Sequence, residues 1–406
     1  MELNDLYPAA SAPETASAPP RKIALLTPSV RLLGARQSLL ALARALDPRR
    51  YAPIVVCPRR GDLEEELRRA GLSTYIHALP PWRKAKSWPL IPLHLWRLRR
   101  WARDLDIRLL HCNEIYPNPY AVRVSRRLGI PTVTHMRLSV DARLMRHYAL
   151  ARADRIVVVS QAAAEPFRVW GPEFERRVRV VYNGLDVDAW RAAAGDLEGA
   201  RRDARARLGL APDAFLAGQI GLISRRKQQH LLLEALRRLA PRRPDLHFLI
   251  VGDPSPHERD YAERLAATIE SADLAARVTL WPFRRDIAPV FAALDLHLLV
   301  SNDEGFGRVA IEAGALGIPT VGTRVGGIPE VVLDGETGLL VAPADDAGLA
   351  DAIERLAADA ALRRRLGEAT RARVEQTFTI QAHAQRMMEL YDETIAEKST
   401  STRERL

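Results

Sequence analysis

An α/β chain built on parallel sheets is what this sequence predicts, and three observations carry the prediction. Short continuous apolar runs alternate with helical segments along almost the whole chain. Glycine-containing turns follow several of those runs. The 406 residues are enough for two or three domains, each with its own core. Strands that are apolar throughout, rather than alternating, belong to sheets covered on both faces by helices.

Residues 1 to 20, rich in Ala, Ser and Pro, predict a disordered arm. Lys22 to Thr27 is the opening strand, and a turn with Gly34 leads into a helix ending near Leu46. A glycine turn after a first strand is a phosphate-loop shape, and equally an ordinary strand-to-helix turn. Further strands are expected at Pro53 to Cys57, Ser73 to Ile76, Ile107 to Cys112, Thr132 to His135, Asp154 to Ser160 and Val178 to Val181. A helix is expected over Gly61 to Ala70. Residues 185 to 213, polar and rich in Ala and Arg, suggest a linker with a short helix.

Pro81 to Arg103 interleaves tryptophans with basic residues, among them Trp82, Lys84, Lys86, Trp88, Trp96, Arg99 and Trp101. Such a segment suits either an anionic membrane interface or a helix that covers the sheet with its arginines in water.

In the second half, Phe215 to Leu222 is a strand, and Ser224-Arg225-Arg226-Lys227 precedes a helix through Leu239. Cations at a helix start oppose the helix dipole unless an anion shares the site. Lys227 is the only lysine between Lys86 and Lys398, and an ammonium suits phosphate as a point charge. Strands follow at Leu246 to Val251, Val278 to Leu280 and Leu294 to Val300, with a turn and last strand over Gly335 to Val341. Helices are expected over Ala347 to Ala358, Ala361 to Arg373 and Ile380 to Glu397.

The densest signal is Ser301 to Gly317, SNDEGFGRVAIEAGALG. It reads as the end of a strand, a turn on Gly305 and Gly307, then a helix stopped by Gly317 and Pro319. That geometry aims unpaired backbone N–H groups at an anion. Two acids flank it, Glu304 before the turn and Glu312 within the helix. An acid repels phosphate, so these carboxylates suit hydroxyl groups of a ribose or sugar. The alternative is a capped helix with a solvated Glu304 and an ion-paired Glu312.

This stretch, E-G-F-G-x-x-x-x-E with seven residues between the acids, resembles the E-x7-E signature of family-four retaining glycosyltransferases of the GT-B fold. The likeness continues through Gly326-Gly327-Ile328-Pro329-Glu330 and Thr337-Gly338-Leu339-Leu340-Val341. Asn183-Gly184-Leu185-Asp186 resembles that family's N-G-x-D at the domain junction. The resemblance implies two Rossmann-like domains facing across a cleft, over 21–184 and 185–379, with a helix at 380–397 packing back on the first. It implies a nucleotide-diphosphate sugar donor, with Glu304, Lys227 and His135 as catalytic groups. Arg137 stands behind His135. Gly34, Arg225, Arg226, Phe283, Arg284, Gly305, Phe306, Gly307 and Glu312 are implied in substrate binding.

The sequence departs from the family's G-R-x-x-x-x-K-G: Leu222 replaces the arginine and Gln228 the second glycine. Arg225 or Arg226 is expected to supply the missing guanidinium. The first-strand loop also lacks one of the family's two glycines.

No metal site and no cofactor are expected. Asp186-Val187-Asp188 spells D-x-D without the context of a metal site. Cys57 and Cys112 each end an apolar run and are expected as buried thiols in a reducing compartment. No apolar run reaches the ~18 residues of a spanning helix, and the N-terminus has no basic start followed by an apolar core. A cytoplasmic protein, peripheral on the inner membrane face if the tryptophan segment touches lipid, is the expectation. The net charge of +10 favours anionic partners without choosing among them. No stacking or recognition-helix motif points to nucleic acid. A glycan or lipid-linked acceptor is implied by the resemblance, as against a nucleotide-sugar epimerase or a non-catalytic nucleotide-sugar-binding protein.

Overall fold

The computed structural model describes residues 19–32, 34–137, 142–271 and 274–403. Most of the arm expected over 1–20 therefore lies outside the described residues.

Seven strands form the first sheet: β1 (Arg21–Leu26), β2 (Tyr51–Cys57), β3 (Ser73–Ile76), β4 (Leu109–Cys112), β5 (Thr132–Met136), β6 (Arg155–Val158) and β7 (Val178–Val180). All are parallel, in the order β3-β2-β1-β4-β5-β6-β7. Six more form the second: β8 (Phe215–Ile220), β9 (Leu246–Val251), β10 (Val278–Trp281), β11 (Leu296–Leu299), β12 (Thr320–Thr323) and β13 (Gly338–Val341). These too are parallel, in the order β10-β9-β8-β11-β12-β13. Winding reverses between β1 and β4 in one sheet and between β8 and β11 in the other. Loops diverge at the carboxyl ends of such strand pairs and leave a crevice.

One strand escaped the sequence. β12 reads TVGT and is fully buried, but without an apolar run. Its neighbour satisfies its polar groups: the Thr323 hydroxyl donates to the Ser301 carbonyl at 2.7 Å and accepts from the Ser301 N–H at 3.0 Å. The expected linker holds two helices, Val187–Ala194 and Leu197–Leu208. Ala194 and Ala204 are buried in the core beneath β8 and β9. Asp186 of the D-x-D caps the first helix through the Ala189 N–H.

The last helix, Ile380–Arg403, lays Ala384, Met387, Leu390 and Tyr391 against Ile23, Leu25 and Val55 of the first sheet. Tyr51 donates to Asp392 at 2.6 Å across this contact. Gly184 lets the chain enter it. A Cβ there would lie 2.6 Å from the Thr379 carbonyl and 2.7 Å from the Ile380 Cα. Cys57 and Cys112 are buried free thiols, and burial raises the pKa of both, that of Cys57 to about 12.

Candidate active site

Two loops at the carboxyl ends of β8 and β11 build the lower wall of the cleft. After β8 the chain turns at Gly221, forms a short 3-10 turn (Arg225–Lys227), and enters the helix Gln229–Leu239 through Gln228 in the left-handed region. After β11 it turns through Gly305-Phe306-Gly307 into the helix Arg308–Ala315. Gly307 has φ 90° and sits where a Cβ would come within 3.0 Å of Leu299.

The two loops are tied together from below. Gln219 in β8 donates to the Lys227 carbonyl at 2.9 Å and the Val300 carbonyl at 3.1 Å. The Asn302 N–H donates to the Arg226 carbonyl at 3.0 Å. This framework brings Lys227 Nζ within 2.5 Å of Glu304 Oε2. Arg226 stands 3.4 Å from the same oxygen and also donates to the Asp303 carbonyl at 2.8 Å. Burial works against the Glu304 charge, but Lys227 and Arg226 outweigh it, helped by the Phe306 N–H, and hold the carboxyl below its ordinary range. Glu304 is thus neither solvated nor alone.

Of the two candidate arginines, Arg226 joins this group. Arg225 turns away to pair with Asp260 at 2.5 Å and lies over the Tyr261 ring. Phe283 and Arg284 lie on the loop after β10. Phe283 is exposed, with its N–H on Asp253 at 3.0 Å, and Arg284 pairs with Asp286. Neither contacts Glu304. The Phe306 ring is buried against Tyr182 and Phe378, so only its backbone faces the turn.

Glu312 is 6% exposed and paired with Arg308 Nε at 2.9 Å. Burial raises its pKa, against the pull of Arg308. Arg308 reaches on across the cleft, donating to the Gly34 carbonyl at 2.8 Å and standing 3.4 Å from Ser38 Oγ. Gly34 and Glu312 therefore meet through an arginine that the sequence reading left unassigned.

The upper wall comes from the first sheet. Arg137, just past β5, donates to Asn183 Oδ1 and Asn113 Oδ1, both at 2.7 Å. Burial lowers its pKa to about 10, Glu114 partly opposing the fall and Arg308 and Arg36 adding to it. Arg36 itself pairs with Glu114 at 2.8 Å.

His135 lies deeper than Arg137. It is fully buried one layer below Arg137, stacked on His111 at 5.7 Å between ring centroids and 6.3 Å from His383. β5 runs one residue past it, to Met136, and places His135 beneath the last helix. Arg137, two residues on, is the residue of this pair that reaches the rim.

The walls also meet directly. Ser160 donates to the Gly305 carbonyl at 2.7 Å. Glu330, within the segment Gly326 to Glu330, accepts the N–H groups of Gln161 at 2.8 Å and Ala162 at 2.9 Å, and so caps a helix of the opposite domain. A carboxylate at a helix N-terminus is favourable for both its hydrogen bonds and the dipole. Its role had no signal in the sequence beyond the glutamate itself.

Residues 33–189 match the family model described as Glycosyltransferase Family 4, and residues 200–373 the one described as Glycosyl transferases group 1. Among solved structures, Anabaena HepE in complex with UDP-glucose superposes with a TM-score of 0.78, 25% identity, and coverage of 92% of this chain and 99% of that one. The fold is that of the GT-B glycosyltransferases. A glycosyltransferase from Rickettsia africae shares this GT-B fold with a TM-score of 0.81 at 19% identity, over 93% of this chain and 99% of that chain. Among curated proteins, D-inositol 3-phosphate glycosyltransferase from Mycobacterium sp. (strain KMS) is 36% identical over 206 residues, 50% of this chain and 45% of the relative. The chain thus matches less than half the length of that relative. Its counterpart from Mycobacterium tuberculosis (strain F11) is 35% identical over 207 residues, 50% of this chain and 41% of the relative. In the GT-B frame, the Lys227–Glu304 pair lies on the second domain and Arg137 on the first, facing it.

Proposed function

We propose that this protein is a retaining glycosyltransferase that moves a sugar from a nucleotide-diphosphate donor to an acceptor hydroxyl. The observation that carries this is the Lys227–Glu304–Arg226 cluster beside the Gly305–Gly307 turn. It sets two cations beside a carboxylate at a site shaped for an anion. The UDP-glucose complex of HepE supports a hexose donor of this type.

In this proposal the donor diphosphate takes the ammonium of Lys227 and the guanidinium of Arg226. Glu304, released from part of its ion pairing, accepts hydroxyl groups of the sugar. Glu312 accepts those of the ribose. As the bond from the anomeric carbon to the phosphate oxygen breaks, its electron pair passes to the diphosphate. The acceptor oxygen bonds to the same carbon, and its proton leaves with the diphosphate. Lys227 and Arg226 stabilise the developing charge, so we propose that no metal is required. Preorganised groups of this kind are typically worth about 10²–10³ in rate each. The name of the mycobacterial relatives suggests a phosphorylated polyol as the first acceptor to test.

The test is a thermal-shift screen of UDP, ADP, GDP and their glucose conjugates, followed by nucleotide-release assays on the stabilising donor. One nucleotide class should raise the melting temperature by mass action. Lys227→Ala should cut turnover about 10²–10³-fold while the protein stays folded. Wild-type turnover in that variant, or donor isomerisation without nucleotide release, would refute the proposal.

A further inference from the structure

The outer side of the first domain carries a basic groove of about 1090 Å³ between the helices Ile91–Asp104 and Asn118–Leu128. Arg99, Arg123, Arg126, Arg127, Arg152 and Lys398 line it, and no acidic side chain does. Lys398 is held by Asp154, and Arg123 lies over the Trp82 ring. Among the described residues, Arg99, Arg126, Arg127 and Arg152 have no ion-pair partner.

The helix Ile91–Asp104 makes the second observation. Its inward stripe, Ile91, Leu98 and Ala102, is buried in the core. The side left to solvent is not wholly polar: beside the exposed Arg97, Arg100 and Arg103, Leu93 is 43% and Trp96 48% exposed. The turn that precedes it adds Trp88 at 60% and Leu90 at 50%. Arg83, Lys84 and Lys86 are exposed in the same approach. A helix that only covers a sheet has no use for large apolar groups on its outer face.

We infer that this face docks on an anionic phospholipid bilayer, with the groove taking headgroup phosphates and Trp88, Leu90, Leu93 and Trp96 entering the interface. Indole rings favour that depth, and arginines beside them meet the negative surface potential. A second copy of this chain is disfavoured, because two such grooves would oppose like charges. A nucleic-acid strand would satisfy the arginines and leave Leu90 and Leu93 exposed to water. No helix among the described residues is long and apolar enough to cross a membrane, so the contact is peripheral. The turn with Trp88 follows β3 at the carboxyl edge of the first sheet, the edge that opens onto the cleft. An acceptor carried in the bilayer would then arrive beside the site. The docking itself does not depend on the catalytic proposal.

Co-sedimentation of the full chain with vesicles tests this. It should bind phosphatidylcholine vesicles containing phosphatidylglycerol, far less those without it, and release as salt is raised. Arg126→Ala with Arg127→Ala should weaken partitioning roughly 30-fold, at about fivefold per arginine near an anionic surface. Trp88→Ala with Trp96→Ala should weaken it at any salt, with the melting temperatures of both variants unchanged. Absence of binding to the anionic vesicles, equal binding by wild type and both variants, or binding to single-stranded RNA but not to vesicles would overturn the inference.

Discussion

Arg308 of the second domain donates to the Gly34 carbonyl of the first at 2.8 Å while its Nε holds Glu312. One guanidinium thus spans the cleft and neutralises a buried acid. Removing it should do two things. Arg308→Ala should leave Glu312 buried without its partner and cost about 2 kcal/mol, less than the ~3–5 kcal/mol of a fully buried pair because Arg308 is partly exposed. Arg308→Ala with Glu312→Gln should recover most of that loss in chemical denaturation. Scattering should show a larger radius of gyration for both variants, since neither retains the bridge to Gly34.

Glu304 and Glu312 should respond to pH with opposite signs. The Glu304 carboxyl lies below its ordinary value of 4.5. Its contribution to stability is therefore present above that pH and lost as pH falls through the lowered folded value. In Lys227→Met, burial is opposed only by Arg226 and the Phe306 N–H. The variant should be less stable than wild type by about 3 kcal/mol at neutral pH. The gap should narrow below pH 4.5. Denaturation curves across the acid range check this, and a gap independent of pH would count against the pairing.

For Glu312 the folded pKa is raised above 4.5, so its stabilising contribution is present below that pH and fades as pH rises. Glu312→Gln, which keeps an acceptor for Arg308 without the charge, should gain on wild type as pH rises from 4.5 to neutral. The same variant should bind the nucleotide roughly tenfold more weakly, the loss of one charge-assisted hydrogen bond to a hydroxyl. Isothermal titration with the nucleotide found in the thermal screen measures it.

Gly305 packs its backbone directly against the first domain. A Cβ there would lie 2.5 Å from the Arg137 carbonyl, and backbone cannot yield as a side chain can. Gly305→Ala should hold the cleft open, break the Ser160 bond to the Gly305 carbonyl, and lower turnover at least tenfold with little change in the stability of either sheet. Scattering, turnover and the near-ultraviolet circular dichroism of the variant test the three parts separately.

Of the thirteen described strands, twelve overlap segments expected as strands from the sequence, and the clearest are apolar runs, because a strand buried on both faces is generally apolar along its length. β12 was missed because its threonines are satisfied by distant partners, Thr320 by His297 in β11 and Thr323 by Ser301 just past it. The same division runs through the site. Glu304, Lys227 and the glycine turn were legible because odd charges stood at strand ends and helix starts, where local rules make them costly. Which of Arg225 and Arg226 joins them was not legible, since adjacent residues on a 3-10 turn diverge by more than sequence can show.

By itself the sequence determined the alternation of strand and helix, the turn that aims backbone donors, and the placing of Glu304 and one isolated lysine at the same site. These rest on local periodicity and on charges placed against local dipoles. Only the tertiary structure decided that His135 lies beneath the cleft, that Arg308 and Glu330 cross between domains, and that Gly305 abuts Arg137. Those facts depend on which distant segments come together when the sheets pack, and no local preference encodes that.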